Sequence, residues 1–294
     1  MKKIILIFSL FLTFAFAKNE ELTVSILPQK YFLQKIVKDK FDINVMVKPG
    51  FSPATYEPKT SQMRSLVNSK VYFYIDVPFE DIWLDKFKQS SKNTLFVDTS
   101  LGIEKIQMAK HEHHDEEDKT EEHKDEHQGH EHESLDPHIW LDPILVKIQA
   151  KNMYETMIKI DSKNSDFYKT NYEDFLNHLD KLDSELKTIL KEVEHKPFMV
   201  FHPSWGYFAK RYNLEQIAVE SQGKEPKPNE LVELIKDAKE HNIKIVFVAP
   251  QFSQKSAKTI SKNIGGNVAT IDPLSINWDI ELLKSAKDIV NSYK

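Results

Sequence analysis

Residues 166–194, DFYKTNYEDFLNHLDKLDSELKTILKEVE, decide the architecture. Phe167, Tyr172, Phe175, Leu179, Leu182, Leu186, Ile189 and Leu190 recur at spacings of mostly three and four, the period of one helix face. A helix over 166–194 is ~40 Å long at 1.5 Å per residue, enough to run down a two-lobed molecule. It separates two stretches of the same character.

Upstream, short β-branched and aromatic runs alternate with amphipathic ones. They predict strands over 22–27, 42–47, 71–75 and 94–98 and helices over 29–37, 59–69 and 80–89. A further helix over 144–160 precedes the long one, with Asp161-Ser162 as break and cap. Downstream, strands over 198–201, 214–219, 243–248 and 267–271 alternate with helices over 204–211, 229–241, 253–263 and 279–292. Strand and helix in alternation with short loops predict a parallel sheet covered on both faces. The expected fold class is therefore α/β, with two lobes, each a parallel β-sheet flanked by helices, joined by one long rigid helix. The expected boundaries are a first lobe over 18–142, a helical connection over 143–195 and a second lobe over 196–294. A length of 294 residues suits two such lobes.

The first 17 residues read differently. Lys2 and Lys3 precede an apolar run over 4–12, and Ala15-Phe16-Ala17 places small residues where a signal peptidase reads them. The run is too short to span a bilayer. Cysteine is absent, so neither a disulfide nor a lipid-modified cysteine is expected. These features predict a freely soluble periplasmic protein that begins near Lys18.

Charge is unevenly placed. Residues 110–134 hold seven His, eleven Asp or Glu and three Lys, a net charge of −8 within a chain total of −5. Without that run and the two N-terminal lysines the body carries +1, which argues against nucleic acid as a partner. The run has no apolar periodicity and is expected to be a mobile loop that collects divalent metal loosely.

In open α/β sheets ligands bind beyond the carboxyl ends of the strands. The polar residues expected there come from 48–58, from His202-Pro203-Ser204-Trp205, from Asp272-Pro273-Leu274 and from His138, held between two Asp-Pro pairs in DPHIWLDP (136–143). His138, His202 and Asp272 supply two imidazoles and a carboxylate, a donor set for zinc, with manganese or iron as alternatives. Asp136 or the acids of the loop are placed to orient His138. No His-Glu-x-x-His pair, Gly-x-Ser-x-Gly elbow, cysteine nucleophile or glycine-rich phosphate loop is present, and the chain holds only seven glycines. An enzyme is therefore not expected. A secreted metal-dependent hydrolase or adhesion protein, using the ion structurally, is the alternative.

GFSPATYEP (50–58), DPHIWLDP (136–143), FHPSWGYF (201–208), PQF (250–252) and IDPL (271–274) occur in the order of the motifs of zinc and manganese solute-binding proteins of bacterial ABC importers, which this chain resembles along its mature length. The resemblance implies a periplasmic receptor that binds one divalent ion between two lobes and delivers it to an inner-membrane ABC permease. A monomer is expected. By position, His138, His202 and Asp272 match three family ligands, and the histidine-rich loop implies Zn2+ rather than Mn2+. Two positions depart from the pattern. Ala54 stands where many members have a histidine, and Ala249 where many have Glu. The fourth position is then open to water, Tyr56, Glu57, a residue of 220–225 such as Glu220 or Glu225, or a loop histidine.

Overall fold

The computed structural model describes residues 19–108, 135–220 and 223–294. The export signal expected over 1–17 and the histidine-rich run over 110–134 lie outside the described residues. The first sheet comprises β1 (Glu20–Val24), β2 (Phe41–Val45), β3 (Ser69–Tyr74) and β4 (Leu95–Asp98), with helices α1 (Leu27–Val37), α2 (Thr60–Asn68) and α3 (Pro78–Ser90) between them. The second comprises β5 (Pro197–Val200), β6 (Glu215–Ala218), β7 (Ile245–Val248) and β8 (Asn267–Thr270), with α6 (Gly206–Arg211), α7 (Pro228–Glu240) and α8 (Lys255–Asn263) between them and α9 (Trp278–Asn291) after. Helices α4 (Pro143–Ile160) and α5 (Ser165–Leu190) lie between the two sets.

Every strand pairing is parallel, and the orders are β2-β1-β3-β4 and β6-β5-β7-β8. In this order the chain leaves the first strand of each sheet to one side and then returns to the other. That reversal opens a crevice at the carboxyl ends of the two central strands. Both crevices matter for the site.

The expected first strand, 22–27, ends early. Pro28 fits only the first turn of a helix, and the Gln29 side chain accepts the N–H of Ser25 at 3.0 Å, turning the chain into α1. Helix α4 starts where Asp142 caps it, its Oδ1 accepting Ile144 N–H at 2.7 Å, with Pro143 in the first turn. The long helix has 26 residues, ~39 Å, and tightens into a 3₁₀ turn over Lys191–Val193 before His195 takes a positive φ of 62°.

Helix α5 packs on α1, α4 and α9, so it touches both halves. Asn171 donates to the Ile36 carbonyl of α1 at 3.0 Å, and the Arg211 guanidinium of α6 forks onto Asp183 at 2.9 and 2.7 Å. Around it lies one continuous core drawn from both lobes, in which Phe32 of α1 meets Trp278 of α9 edge-on at 4.9 Å. A smaller core, around Met199, Val246 and Ile260, serves the second sheet alone. The lobes are also tied directly. Trp140 Nε1 donates to the Pro273 carbonyl at 2.7 Å, and Trp278 Nε1 donates to the Trp140 carbonyl at 2.8 Å.

Candidate metal centre

His138 and His202 come from opposite lobes and meet at the cleft, their ring centroids 5.2 Å apart and their planes at 74°. His138 stands just before a 3₁₀ turn over Ile139–Leu141, and His202 follows β5 by two residues. Each imidazole has its own carboxylate. Asp136 Oδ1 lies 2.6 Å from His138 Nδ1 and also accepts the His138 N–H at 2.9 Å. Glu220, just past β6, places Oε1 2.6 Å from His202 Nδ1. A carboxylate can only accept, so each ring carries its proton on Nδ1 and keeps the Nε2 lone pair for a metal ion.

The carboxylates are themselves held. Asp136 is fully buried, its N–H donates to Ile106 at 2.8 Å, and its carbonyl accepts the Tyr207 hydroxyl at 2.8 Å. Gly206 is needed beside it, because a Cβ there would lie 2.7 Å from Asp136 Oδ2. Glu220 donates its N–H to the Phe201 carbonyl at 2.9 Å. Burial lowers the His202 pKa, Glu220 opposes that, and the neighbouring His138 lowers it further. The neutral, ligating form of His202 is thereby favoured.

Both rings border a cavity of about 20 Å³, walled also by Ser52, Pro53, Trp140, Gln251, Phe252, Pro273 and Leu274. That is room for one ion or one water. Phe252 stacks on His202 at 4.6 Å, and Trp140 flanks His138 at 5.1 Å. Aromatic walls exclude water and strengthen any charge interaction inside.

Asp272, expected as the third ligand, does not wall this cavity. It borders an adjoining one of about 280 Å³ that also holds Lys30, Lys48 and Phe51. Its Oδ1 accepts from Gln251 Nε2 and from the Leu274 N–H, both at 3.0 Å. Among the described residues no group of three His, Cys, Asp or Glu is arranged to hold a metal ion.

The residues expected for a fourth position fall elsewhere. Ala54 and Glu57 are exposed, the Tyr56 hydroxyl donates to Gln62 at 2.8 Å, and Glu225 accepts from Ser256. Glu220 serves the Nδ1 side of His202. Ser52, two residues before Ala54, is the polar side chain of that loop which reaches the cavity. Gln251 enters the sequence reading only as a member of PQF (250–252), with no ligand role, although it stands at the end of β7 as His202 does at the end of β5. That strand-end position is the signal by which it could have been found.

The family model described as zinc-uptake complex component A, periplasmic, matches residues 22–281. The high-affinity zinc uptake system protein ZnuA of Bacillus subtilis (strain 168) is 30% identical over 251 residues, covering 84% of this chain and 76% of that protein. The chain spans about half the length of the streptococcal zinc-binding proteins AdcA that it also matches, 49%. A crystal structure of ZnuA superimposes with a TM-score of 0.84 at 39% identity, covering 94% of this chain and all of that one. A ZnuA deletion mutant with zinc bound does so at 0.82 and 38% identity, covering 94% and 98%.

Proposed function

Because this chain belongs to the periplasmic zinc-uptake complex component A family, we propose that it is the zinc receptor of an ABC importer. It takes Zn2+ into the cleft and hands it to an inner-membrane permease. One observation carries the reading: two imidazoles from opposite lobes face one ion-sized cavity, each fixed on Nδ1 by its own buried carboxylate. Zinc favours a tetrahedral set with nitrogen donors and tolerates water in the fourth place. His138 and His202 supply the nitrogens, and Asp272 stands at the rim of the site. The donor set is less suited to manganese, which prefers oxygen.

Binding and release, rather than catalysis, is the work such a site does. The ties between Trp140 and Pro273 and between Trp278 and Trp140 leave little freedom for lobe closure, so exchange would involve the loops around the cleft. Among the described residues no helix is long and apolar enough to cross a membrane. We take the N-terminal run as a cleaved export signal and the mature chain as a soluble monomer in the periplasm. The histidine-rich run would collect ions and pass them to the cleft.

Isothermal titration with zinc tests this. One tight site is expected, lost in His202→Ala and retained when residues 111–133 are deleted. Tight binding that persists in His202→Ala would rule the assignment out. Thermal unfolding with and without chelator separates a receptor from a protein that needs the ion to fold. The metal-free receptor stays folded on its continuous core, and zinc at about a thousand times Kd adds about 4 kcal/mol.

A further inference from the structure

We propose that the side-chain carbonyl oxygen of Gln251 is the third protein ligand to the ion, and that Asp272 holds the Gln251 amide from behind instead of binding the ion itself. The proposal rests on the zinc-receptor reading. Gln251 walls both cavities, the small one beside His138 and His202 and the larger one beside Asp272, whereas Asp272 borders only the larger.

The amide's orientation follows from its partner. Asp272 Oδ1 can only accept, so the group 3.0 Å away is the Gln251 N–H, and the carbonyl oxygen faces the other way. That oxygen, Oε1, is buried and has no hydrogen-bond partner. A buried acceptor without a donor is unfavourable, and a cation held by the two adjacent imidazoles satisfies it.

The arrangement then has one plan repeated three times. Asp136 backs His138, Glu220 backs His202, and Asp272 backs Gln251, in each case by accepting an N–H. Carboxylates in that position orient a metal's ligands and raise their basicity. Three neutral ligands with three carboxylates behind them keep the ion electrostatically stable while leaving no negatively charged atom bonded to it. An amide oxygen holds zinc less firmly than a carboxylate would, which suits an ion that must be handed on. With Ala54 exposed and without a donor side chain, the first lobe offers His138 and Ser52.

The test is zinc affinity measured on the full chain by competition with a chromophoric chelator, together with zinc-edge X-ray absorption. Gln251→Met keeps the volume and removes the oxygen. It is expected to bind zinc about 10–100-fold more weakly and to lose one oxygen neighbour, with the metal-free melting temperature unchanged. Gln251→Glu restores an oxygen but sets a second carboxylate against Asp272, so it is expected to recover only part of the affinity that Gln251→Met loses. Asp272→Asn is expected to lose less than Gln251→Met, because it only loosens the amide. The proposal is overturned if Gln251→Met binds as tightly as wild type or more tightly while Asp272→Asn loses as much as His202→Ala. Asp272 would then be the ligand and Gln251 its restraint. If His202→Ala itself leaves binding unchanged, the receptor reading fails, whatever Gln251 does.

Discussion

The Tyr207 hydroxyl, on α6 of the second lobe, donates to the carbonyl oxygen of Asp136 in the first lobe at 2.8 Å and accepts the Ile106 N–H at 3.1 Å. One phenol thus bridges the lobes two residues before His138, and it fixes the backbone from which the Asp136 carboxylate reaches the ring. Burial pushes the Tyr207 pKa up to about 12, so the hydroxyl keeps its proton and donates at neutral pH.

Tyr207→Phe leaves a buried carbonyl and a partly buried N–H without their partner. Each such loss costs about 1–3 kcal/mol, so urea unfolding should show a stability loss of about 2 kcal/mol or more. Zinc titration of the same variant should show weaker binding, because Asp136 is no longer held in line with His138.

Gly206→Ala acts on the same carboxylate by a different route. The new Cβ would sit 2.7 Å from Oδ2 of the buried Asp136, so the carboxylate must shift. Displacing it from His138 Nδ1 should weaken zinc binding about tenfold or more, within the range for losing a ligand's supporting partner. Calorimetric titration at neutral pH measures the effect. A shift in melting temperature without a change in affinity would show that Asp136 does not orient His138.

Glu220→Gln keeps the shape beside His202 and removes the charge. Zinc binding should weaken about 10–100-fold, because the imidazole loses the anion that raises its basicity. The same charge opposes the lowering of the His202 pKa, so its removal lowers that pKa further. Burial already holds the wild-type His202 pKa below the ordinary histidine value, so protonation of this ring should weaken zinc binding only on the acid side of neutrality. Titrations from pH 8 to pH 5 check the position of the fall.

Asp279 links the two lobes through α5: its Oδ2 lies 3.0 Å from His178 Nε2, and the same nitrogen is 3.4 Å from the Tyr31 hydroxyl of α1. Burial pushes its carboxyl up, but His178, Tyr31 and the Ile280 N–H outweigh burial and hold it at about 2, below the ordinary value of 3.8. A lowered acid contributes stability that is present above its unfolded pKa and is lost as pH falls toward the folded value. Urea unfolding between pH 4 and pH 2 should therefore lose about 2 kcal/mol in the wild type beyond what Asp279→Asn loses, an upper figure because the group is partly solvated.

Several parts of the site are legible from neighbouring residues alone. Asp136 and His138 are two apart, so the turn that brings carboxylate to imidazole is local, and the Asp-Pro pair announces it. Asp142 and Pro143 similarly mark the start of α4. Strand ends are less legible. The first strand was expected to run to 27, but the Gln29 side chain competes for the backbone of Ser25 and ends it at Val24. The long helix was expected to reach 194, and its last residues instead form a 3₁₀ turn.

What the sequence by itself determined is the plan: two parallel α/β halves, a long helix between them and one histidine from each side of the cleft. Hydrophobic periodicity and turn chemistry are properties of adjacent residues, and in parallel sheets the strand ends collect functional groups wherever their sequence neighbours lie. What only the tertiary structure decided is which group serves which. Glu220, one of the residues offered for the fourth position, lies 2.6 Å from His202 Nδ1, and Asp272, expected as a ligand, accepts from Gln251 Nε2 at 3.0 Å. Those pairings depend on the relative placement of β5, β6, β7 and β8, which strand pairing and core packing fix in three dimensions, and an error of one residue's width would exchange one partner for another.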